Sequence, residues 1–165
     1  MKCLVTGASG FVGSELVNQL VRAGFEVVAV NKTGGFTSTG LAIYGFDFSR
    51  ENIPRSLLSA VDVVFHLAGI AHQKAVLERY KRINLDTTIE LAKNASSCGV
   101  SKFVFLSSVH AGRDSKKSTE IVDPYSDSKL MAEDMLKTLF SHGNMGVEIV
   151  RSALVYGPGV GGNLF

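Results

Sequence analysis

The segment Thr6–Gly13 (TGASGFVG) places three glycines between a short apolar run and an amphipathic helical pattern. The run Cys3–Val5 is typical of a buried strand, and apolar residues from Val12 to Val21 recur at the spacing of one helix face. Glycine at such a turn permits positive φ and removes the Cβ that would block a phosphate. The free N–H groups at the start of the next helix attract anions. The segment therefore predicts a site for a dinucleotide pyrophosphate.

Strand and helix patterns alternate along the whole chain. The predicted strands are Lys2–Thr6, Glu26–Asn31, Ile43–Phe46, Val61–Leu67, Lys102–Ser107 and a sixth that opens with Glu148–Arg151. The predicted helices are Val12–Ala23, a short one within Asn52–Ser59, a long one from Val76 or Arg79 to Ser97, and Tyr125–Phe140. Uninterrupted apolar strands separated by helices indicate an α/β fold with a doubly wound parallel sheet, ordered 3-2-1-4-5-6. The ligand crevice is expected at the carboxyl ends of strands 1 and 4, and Thr33–Gly40 is expected to be a loop.

Composition and charge narrow the class of protein. The 165 residues are 45% hydrophobic and 19% charged, which predicts one globular domain over residues 1–165. The net charge of +2 is small, and the basic doublet Lys116–Lys117 is interpreted as a solvated loop, so no nucleic-acid partner is predicted. No apolar run is long enough to span a membrane, and the N-terminus lacks a signal-peptide pattern, so a cytoplasmic location is predicted.

Cysteine and histidine spacing does not indicate a metal or a disulfide framework. Cys3 and Cys98 are interpreted as free thiols in a reducing compartment. The four histidines lack metal-ligand spacing, so no metal is assigned. His66 lies inside an apolar strand and is interpreted as a hydrogen-bonded structural histidine. His72 and His110 lie on expected loops near the crevice, where contact with substrate is an alternative to a purely structural role.

Two groups of polar residues have the spacing of a proton-transfer site. Tyr125 and Lys129 stand four residues apart on a predicted helix, which puts both side chains on one face. A neighbouring ammonium stabilises a phenolate and is expected to move the pKa of Tyr125 from about 10 toward neutrality. Ser107 and Ser108 follow a buried strand at the edge where ligand-facing groups collect. One of the two is expected to share a substrate proton with Tyr125, the alternative being that both only end the strand.

Five motifs occur together, in order and at the usual separations: Thr6–Gly13 (TGASGFVG), Phe65–Gly69 (FHLAG), Asn84, Leu106–Ser108 (LSS) and Tyr125–Lys129 (YSDSK). With them the chain resembles the extended short-chain dehydrogenase/reductase family, and within it the nucleotide-sugar epimerases and dehydratases. The resemblance covers essentially the whole chain and implies a Rossmann domain that binds NAD or NADP. It also implies a nucleotide-sugar substrate.

The resemblance assigns contacts and roles to matching residues. Those it implies for cofactor binding are Gly7, Gly10, Phe11, Val12, Gly13, Asn31, Lys32, Phe46, Asp47, Leu67, Ala68, Gly69, Tyr125 and Lys129. Those it implies for catalysis are Ser108, Tyr125, Lys129 and Asn84. Tyr125 would be the base, Lys129 would bridge it to the nicotinamide ribose, and Asn84 would support the site. Asp47 would meet the adenine amino group.

The form of the cofactor stays open. An acid at the end of the second strand hydrogen-bonds the ribose of NAD, whereas a nearby basic residue accommodates the 2′-phosphate of NADP. This chain has Asn31 and Lys32 there. Asn31 cannot supply a carboxylate and Lys32 would attract a phosphate, so both NAD and NADP remain expected cofactors.

The activity that the resemblance implies is NAD(P)-dependent oxidoreduction of a nucleotide-sugar. The leading expectation is a 4-epimerase of a UDP-hexose or UDP-N-acetylhexosamine, working through a 4-keto intermediate. A 4-ketosugar reductase uses the same three side chains and is an alternative. Two further alternatives are a dinucleotide-binding module without turnover and a reductase of hydrophobic ketones.

Two expectations concern assembly and extent. The helices Arg79–Ser97 and Tyr125–Phe140 are expected to form a homodimer interface, supported by the apolar residues Leu130, Met131, Met135, Leu136 and Leu139. Arg151–Gly159 (RSALVYGPG) resembles a family segment that usually carries proline where this chain has Ser152. Family members continue beyond this segment into a part that grips the nucleotide-sugar. The chain is therefore expected to be a cofactor domain with most of the substrate domain absent.

Overall fold

The computed structural model describes residues 1–71, 77–111 and 123–157. Its strands form one seven-stranded sheet. The strands are β1 (Lys2–Thr6), β2 (Glu26–Asn31), β3 (Gly35–Phe36), β4 (Ala42–Gly45), β5 (Val63–His66), β6 (Lys102–Ser108) and β7 (Gly146–Ser152). The helices are α1 (Phe11–Arg22), α2 (Arg55–Leu58), α3 (Leu77–Tyr80), α4 (Thr87–Ser97) and α5 (Pro124–Phe140), with a π-helical segment, Lys81–Asp86, between α3 and α4.

The sheet has the order β3-β4-β2-β1-β5-β6-β7, and every neighbouring pair is parallel except β3 with β4. Without β3 this is the predicted order 3-2-1-4-5-6, so the doubly wound architecture is confirmed. The crevice of such a sheet lies where the chain direction switches, here beside the carboxyl ends of β1 and β5.

The expectation that Thr33–Gly40 is only a loop is wrong in one respect. Gly35 and Phe36 pair antiparallel with Ile43 and Ala42, which adds a short strand at the sheet edge. Two residues cannot show an alternating pattern, so the flanking glycines hide this strand in the sequence.

Two apolar clusters cover the two faces of the sheet. On one face α1 packs through Val17 and Leu20 against residues of β1 and β2. On the other, α4 and α5 contribute Ala92 and Leu136 to a larger cluster around Phe103. Because both faces are covered, the central strands are apolar on both sides, which is why their sequences lack polar alternation. In this packing the carboxyl ends of β1 and β5 lie side by side.

The long helix predicted up to Ser97 is present within the described residues but is not uniformly α-helical. Its expected start at Val76 lies outside those residues. In the π-helical segment the N–H and the hydroxyl of Thr87 both donate to the carbonyl of Arg82, five residues back. The widened turn brings Asn84 to a fully buried position. π-Helical turns are often found at functional sites.

Several smaller predictions can be checked against the described ranges. Within them, no helix combines the length and apolar character needed to cross a membrane. Cys3 and Cys98 are both free, as expected. The Lys116–Lys117 doublet lies outside the described residues.

Candidate functional site

A cavity of about 340 Å³ opens at the carboxyl edge of the sheet, beside β1, β2 and β5. Its wall includes nine of the residues predicted to contact a cofactor: Gly7, Gly10, Asn31, Lys32, Phe46, Asp47, Leu67, Ala68 and Gly69. Six lining residues were not predicted: Ser9, Phe48, Ser49, Ile70, Arg79 and Ile83. The cavity therefore lies at the predicted crevice and extends from the glycine-rich turn to the π-helical segment.

Two glycines of the glycine-rich turn, Gly7 and Gly13, leave no room for a side chain. Gly7 has φ +71°, and a Cβ there would lie 2.8 Å from the backbone nitrogen of Ala68. A Cβ on Gly13 would lie 2.1 Å from the carbonyl oxygen of Gly7. Phe11, Val12 and Gly13 form the first turn of α1 rather than the cavity wall. The first hydrogen bond of the helix runs from the N–H of Ser14 to the carbonyl of Gly10. The N–H groups before Ser14 have no acceptor within the helix, so the turn and helix end suit a pyrophosphate.

The end of β2 carries an ion pair rather than a lone acid. Lys32 Nζ lies 3.3 Å from Asp47 Oδ2, and both residues line the cavity. The other carboxylate oxygen accepts hydrogen bonds from the backbone and hydroxyl of Ser49, and these, with Lys32, lower the pKa of Asp47 to about 2. The buried side chain of Asn31 instead holds the following turn, since Oδ1 accepts from the N–H groups of Thr33 and Gly34.

Asn84 fixes the outer end of the loop that follows β5. Its Oδ1 accepts from the N–H of Ile70 at 2.8 Å, and its Nδ2 donates to the carbonyl of the same residue at 3.0 Å. The same Nδ2 also donates to Ser128 Oγ on α5. The asparagine that the resemblance implied thus joins the cavity wall to α5.

The two serines at the end of β6 have different partners. Ser107 Oγ donates to the buried Glu133 carboxylate at 2.6 Å. Ser108 hydrogen-bonds with the side chain of Tyr125, and its Oγ accepts from the N–H of His110. Ser108 is therefore the serine beside the tyrosine, which agrees with the choice that the resemblance implied.

Tyr125 stands in the first turn of α5. Asp123 caps this helix, its carboxylate accepting from the N–H groups of Tyr125 and Ser126, and Pro124 follows the cap. Burial raises the pKa of Tyr125 above its ordinary value, and the Asp123 carboxylate adds to the rise while the Ser108 hydrogen bond opposes it. The expected lowering of this pKa is not found. The reason is that burial outweighs the favourable contacts of the phenolate.

Lys129 lies one turn further along α5 and is buried. Its Nζ donates to the carbonyl of Leu106 at 2.8 Å and stands 4.5 Å from the centroid of the Phe105 ring. Burial lowers the pKa of Lys129 to about 8, and the charge of Glu133 opposes that shift. At pH 7 a group with this pKa remains about nine-tenths protonated. The site therefore keeps a cation on α5, one helical turn after Tyr125.

Gly69 connects the cavity to this cluster. A Cβ on Gly69 would lie 3.0 Å from Asn84 Oδ1 and 3.5 Å from Lys129 Nζ. Gly69 also lines the cavity. The structure thus brings Ser108, Tyr125, Lys129 and Asn84 together at one end of the predicted cofactor crevice.

Of the histidines discussed in the sequence analysis, the structure tests the interpretation of His66. His66 is fully buried and has a hydrogen-bond partner on each ring nitrogen, Thr6 at 2.7 Å and Thr88 at 3.0 Å, which confirms its structural interpretation. Burial lowers its pKa to about 3. His110 follows Ser108 at the same edge, and its contact with substrate remains a prediction. His72 lies outside the described residues.

Sequence reasoning missed the buried polar residues that support the site. Glu133 is four residues beyond Lys129, so its helical spacing after Tyr125 and Lys129 was a usable signal. Its carboxylate, almost fully buried, receives two hydrogen bonds from Arg151 of β7, at 2.9 and 2.7 Å. Thr6 was noted only as the first residue of the glycine-rich motif, and Thr88 gave no signal, because a threonine in a helix does not alter the apolar pattern.

Comparison with known proteins finds a family model and relatives that match nearly the whole chain. Residues 3–164 match the NAD dependent epimerase/dehydratase family. The chain is 33% identical to a UDP-glucose 4-epimerase from Vibrio cholerae, an alignment covering 97% of this chain and 53% of that protein. The chain spans about half the length of such curated relatives.

Solved structures agree in fold. MoeE5 in complex with UDP-glucose and NAD is 31% identical with a TM-score of 0.81, covering 96% of this chain and 56% of that one. A UDP-glucuronic acid 4-epimerase from Bacillus cereus in complex with NAD is 27% identical with a TM-score of 0.79, covering 96% and 57%. The family match spans nearly every residue, and its fold is the one found here. The chain therefore belongs to the NAD dependent epimerase/dehydratase family.

Proposed function

We propose that this chain is the NAD(P)-binding part of a nucleotide-sugar oxidoreductase, a 4-epimerase acting on a UDP-hexose or a UDP-N-acetylhexosamine. The observation that carries the proposal is the Ser108–Tyr125–Lys129 cluster next to the cavity, joined to it at Gly69. The resemblance to UDP-glucose 4-epimerases supports the substrate class.

The chain's own residues account for the proton transfer. A bound nicotinamide supplies the acceptor and later the donor of a hydride. Tyr125 takes the proton of the sugar hydroxyl, and Ser108, already hydrogen-bonded to Tyr125, holds the same sugar oxygen. Because burial and the Asp123 carboxylate raise the pKa of Tyr125, the proposal needs the Lys129 ammonium, one helical turn away, to stabilise the phenolate before it takes the proton. In an epimerase the 4-keto sugar would then turn over, and Tyr125 would return the proton to its oxygen as the opposite face of the carbonyl is reduced.

We infer that NAD is preferred over NADP. A 2′-phosphate at the end of β2 would meet Lys32 but also the Asp47 carboxylate that pairs with it. The low pKa of Asp47 keeps that carboxylate charged at any physiological pH. NAD avoids this repulsion, and the two solved relatives described above hold NAD. Replacing Asp47 with Asn should then raise the affinity for NADP relative to NAD.

The first experiment measures the melting temperature of the chain with NAD and with NADP. A cofactor at about 100 times its dissociation constant stabilises the fold by roughly 2.7 kcal/mol. A shift with NAD alone supports the inference about Asp47, and a shift with NADP alone contradicts it. No shift with either would remove the proposed cofactor role from a chain of this length.

The second experiment follows interconversion of UDP-glucose and UDP-galactose by NMR in the presence of the cofactor. Tyr125→Phe should abolish turnover and leave cofactor affinity unchanged, whereas Tyr44→Phe, which removes an exposed hydroxyl, should change neither. Cofactor binding without turnover would favour the dinucleotide-binding module. Oxidation of reduced cofactor by a 4-keto sugar would favour the reductase, and by a hydrophobic ketone the third alternative.

A further inference from the structure

His66 closes a buried chain of hydrogen bonds that the proposed chemistry does not use. Its ring is 6.0 Å from the ring of Phe105 and nearly parallel to it, and Phe48 and Phe103 stand at 6.2 and 5.9 Å. The ring is hydrogen-bonded to the hydroxyls of Thr6 and Thr88, and the charge of Lys129 also acts on it. A buried polar ring in such surroundings is stable only when both nitrogens are satisfied.

The partners of Thr88 fix the position of the ring proton. A threonine hydroxyl has one proton, and Thr88 donates it to the carbonyl of Asn84 at 2.7 Å. Toward His66 this hydroxyl can only accept, so Nε2 carries the proton. The unprotonated Nδ1 then accepts from the Thr6 hydroxyl, whose oxygen in turn accepts from the N–H of Ala68 at 3.2 Å. Every donor along this chain has an acceptor.

The two ends of this chain of hydrogen bonds hold the two ends of one loop. At one end Thr6 binds the N–H of Ala68, next to the Gly7 turn. At the other end the carbonyl of Asn84 belongs to the residue whose side chain holds both backbone groups of Ile70. The segment Leu67–Ile70 between these anchors lines the cavity throughout its length.

We propose that His66, as the neutral tautomer protonated on Nε2, is a positioning residue for the dinucleotide, because it couples the two anchors of the loop Leu67–Ile70. The inference rests on the cofactor binding proposed above. It does not make His66 a catalytic residue, since the ring is fully buried and reaches the cavity wall through other residues, by Thr6 on one side and by Thr88 and Asn84 on the other.

The test uses threonine variants on one helix as a matched set. Thr88→Val removes the hydroxyl that fixes the tautomer and keeps the shape of the side chain. Thr87→Val is the control, because the Thr87 hydroxyl is equally buried and lies outside the chain of bonds. Its one proton is donated mainly to the carbonyl of Arg82, at 2.9 Å against 3.3 Å for that of Phe48. Both variants should lose similar stability, since each removes a buried hydroxyl and its hydrogen bonds.

The expected results differ in cofactor affinity, measured by calorimetric titration of NAD into the full chain. Thr88→Val should weaken NAD binding about tenfold, Thr87→Val should change it less than about twofold, and Thr88→Ser should restore it. Thr6→Val should also weaken NAD binding. If the bonds act as one unit, the double variant Thr6→Val/Thr88→Val should lose no more NAD affinity than whichever single variant binds NAD less tightly. Equal affinities for Thr88→Val and Thr87→Val would overturn the inference.

A second measurement does not depend on cofactor. Nitrogen-15 NMR of the histidine rings should show His66 as the neutral tautomer protonated on Nε2 at pH 7. The Nδ1 tautomer or an imidazolium ion would overturn the inference even if NAD binds. A wild-type chain that binds neither NAD nor NADP would overturn the proposed function and this inference together, whereas binding that the variants leave unchanged would overturn this inference alone.

Discussion

The stability of this protein should fall as the pH is lowered from 7.5 to 5, and His66 should cause most of the fall. The pKa of His66 is about 3 in the fold, because burial disfavours the charged ring, against about 6.5 in an unfolded chain. Between these values the unfolded state binds a proton that the folded state does not. The free energy of unfolding therefore rises with pH across this window. The contribution of His66 to it is complete above pH 6.5 and is lost as the pH falls from 6.5 toward 3.

The magnitude follows from the two pKa values. Integrated from pH 7.5 to pH 5, the excess of protons that the unfolded state binds at this one site comes to about 1.5 pH units. At about 1.4 kcal/mol per unit this amounts to about 2 kcal/mol. The carboxylates act at lower pH. Asp47 and Glu133 have pKa values lowered by their hydrogen bonds and ion pairs, so their stabilisation is lost only below about pH 4.5. The interval from pH 5 to 7.5 thus isolates His66 from these two acids.

The assay is urea denaturation at constant ionic strength at several pH values in this interval. The slope of the unfolding free energy against urea concentration should stay constant with pH, which checks that the same transition is measured throughout. His66→Gln should remove the pH dependence, although it lowers the stability at pH 7.5. His110→Gln and His142→Gln should retain it. An unfolding free energy that is constant from pH 5 to 7.5, or a pH dependence that survives in His66→Gln, would refute the reasoning.

Three further predictions concern the turn, the buried carboxylate and the assembly. Gly13→Ala should destabilise the fold by about 1 to 3 kcal/mol in urea denaturation, because its Cβ would meet the Gly7 carbonyl oxygen. This loss should appear although alanine favours a helix, and Ser14→Ala, at the exposed neighbouring position, should not destabilise the fold. Glu133→Gln should lower the unfolding free energy by about 1 to 3 kcal/mol, and an equal loss in the exposed ion-pair variant Glu148→Gln would contradict the importance of burial. If the exposed apolar face of α5 forms a homodimer, sedimentation at tens of micromolar should show a dimer that Met135→Glu converts to monomer, and a monomeric wild type would contradict the assembly.

The fold was predictable because its strands are covered on both faces. Apolar runs such as Val61–Leu67 have few other uses in a protein of this size, and the alternation with helices then fixes a parallel sheet. Boundaries within one or two residues follow from the same pattern, as for α1 and β6. The two-residue strand β3 and the π-helical turn were not predictable, because neither changes the local apolar period.

The site was predictable only where chemistry leaves a mark in spacing. Glycine at three positions of a turn is such a mark, and so is a tyrosine one helical turn before a lysine. Its electrostatics were not predictable. The pKa of Tyr125 depends on how deeply the ring is buried and on the carboxylate of its own helix cap, Asp123, and neither follows from the spacing. Lys32 looked like a free cation, whereas its partner Asp47 is fifteen positions away and meets it only because β2 and β4 are neighbours.

The buried polar groups form two hydrogen-bond networks, one on each side of Gly69. On the α5 side, Glu133 joins the helix that carries Tyr125 and Lys129 to β6 and β7, through Ser107 and Arg151. On the cavity side, the bonds through His66 hold the loop after β5. A half-satisfied buried network destabilises a fold, whereas a fully satisfied one makes it rigid. One network holds the helix that carries Tyr125 and Lys129, and the other holds the loop after β5. The two meet at Gly69, where the absence of a side chain leaves space between the cavity and the Tyr125–Lys129 cluster.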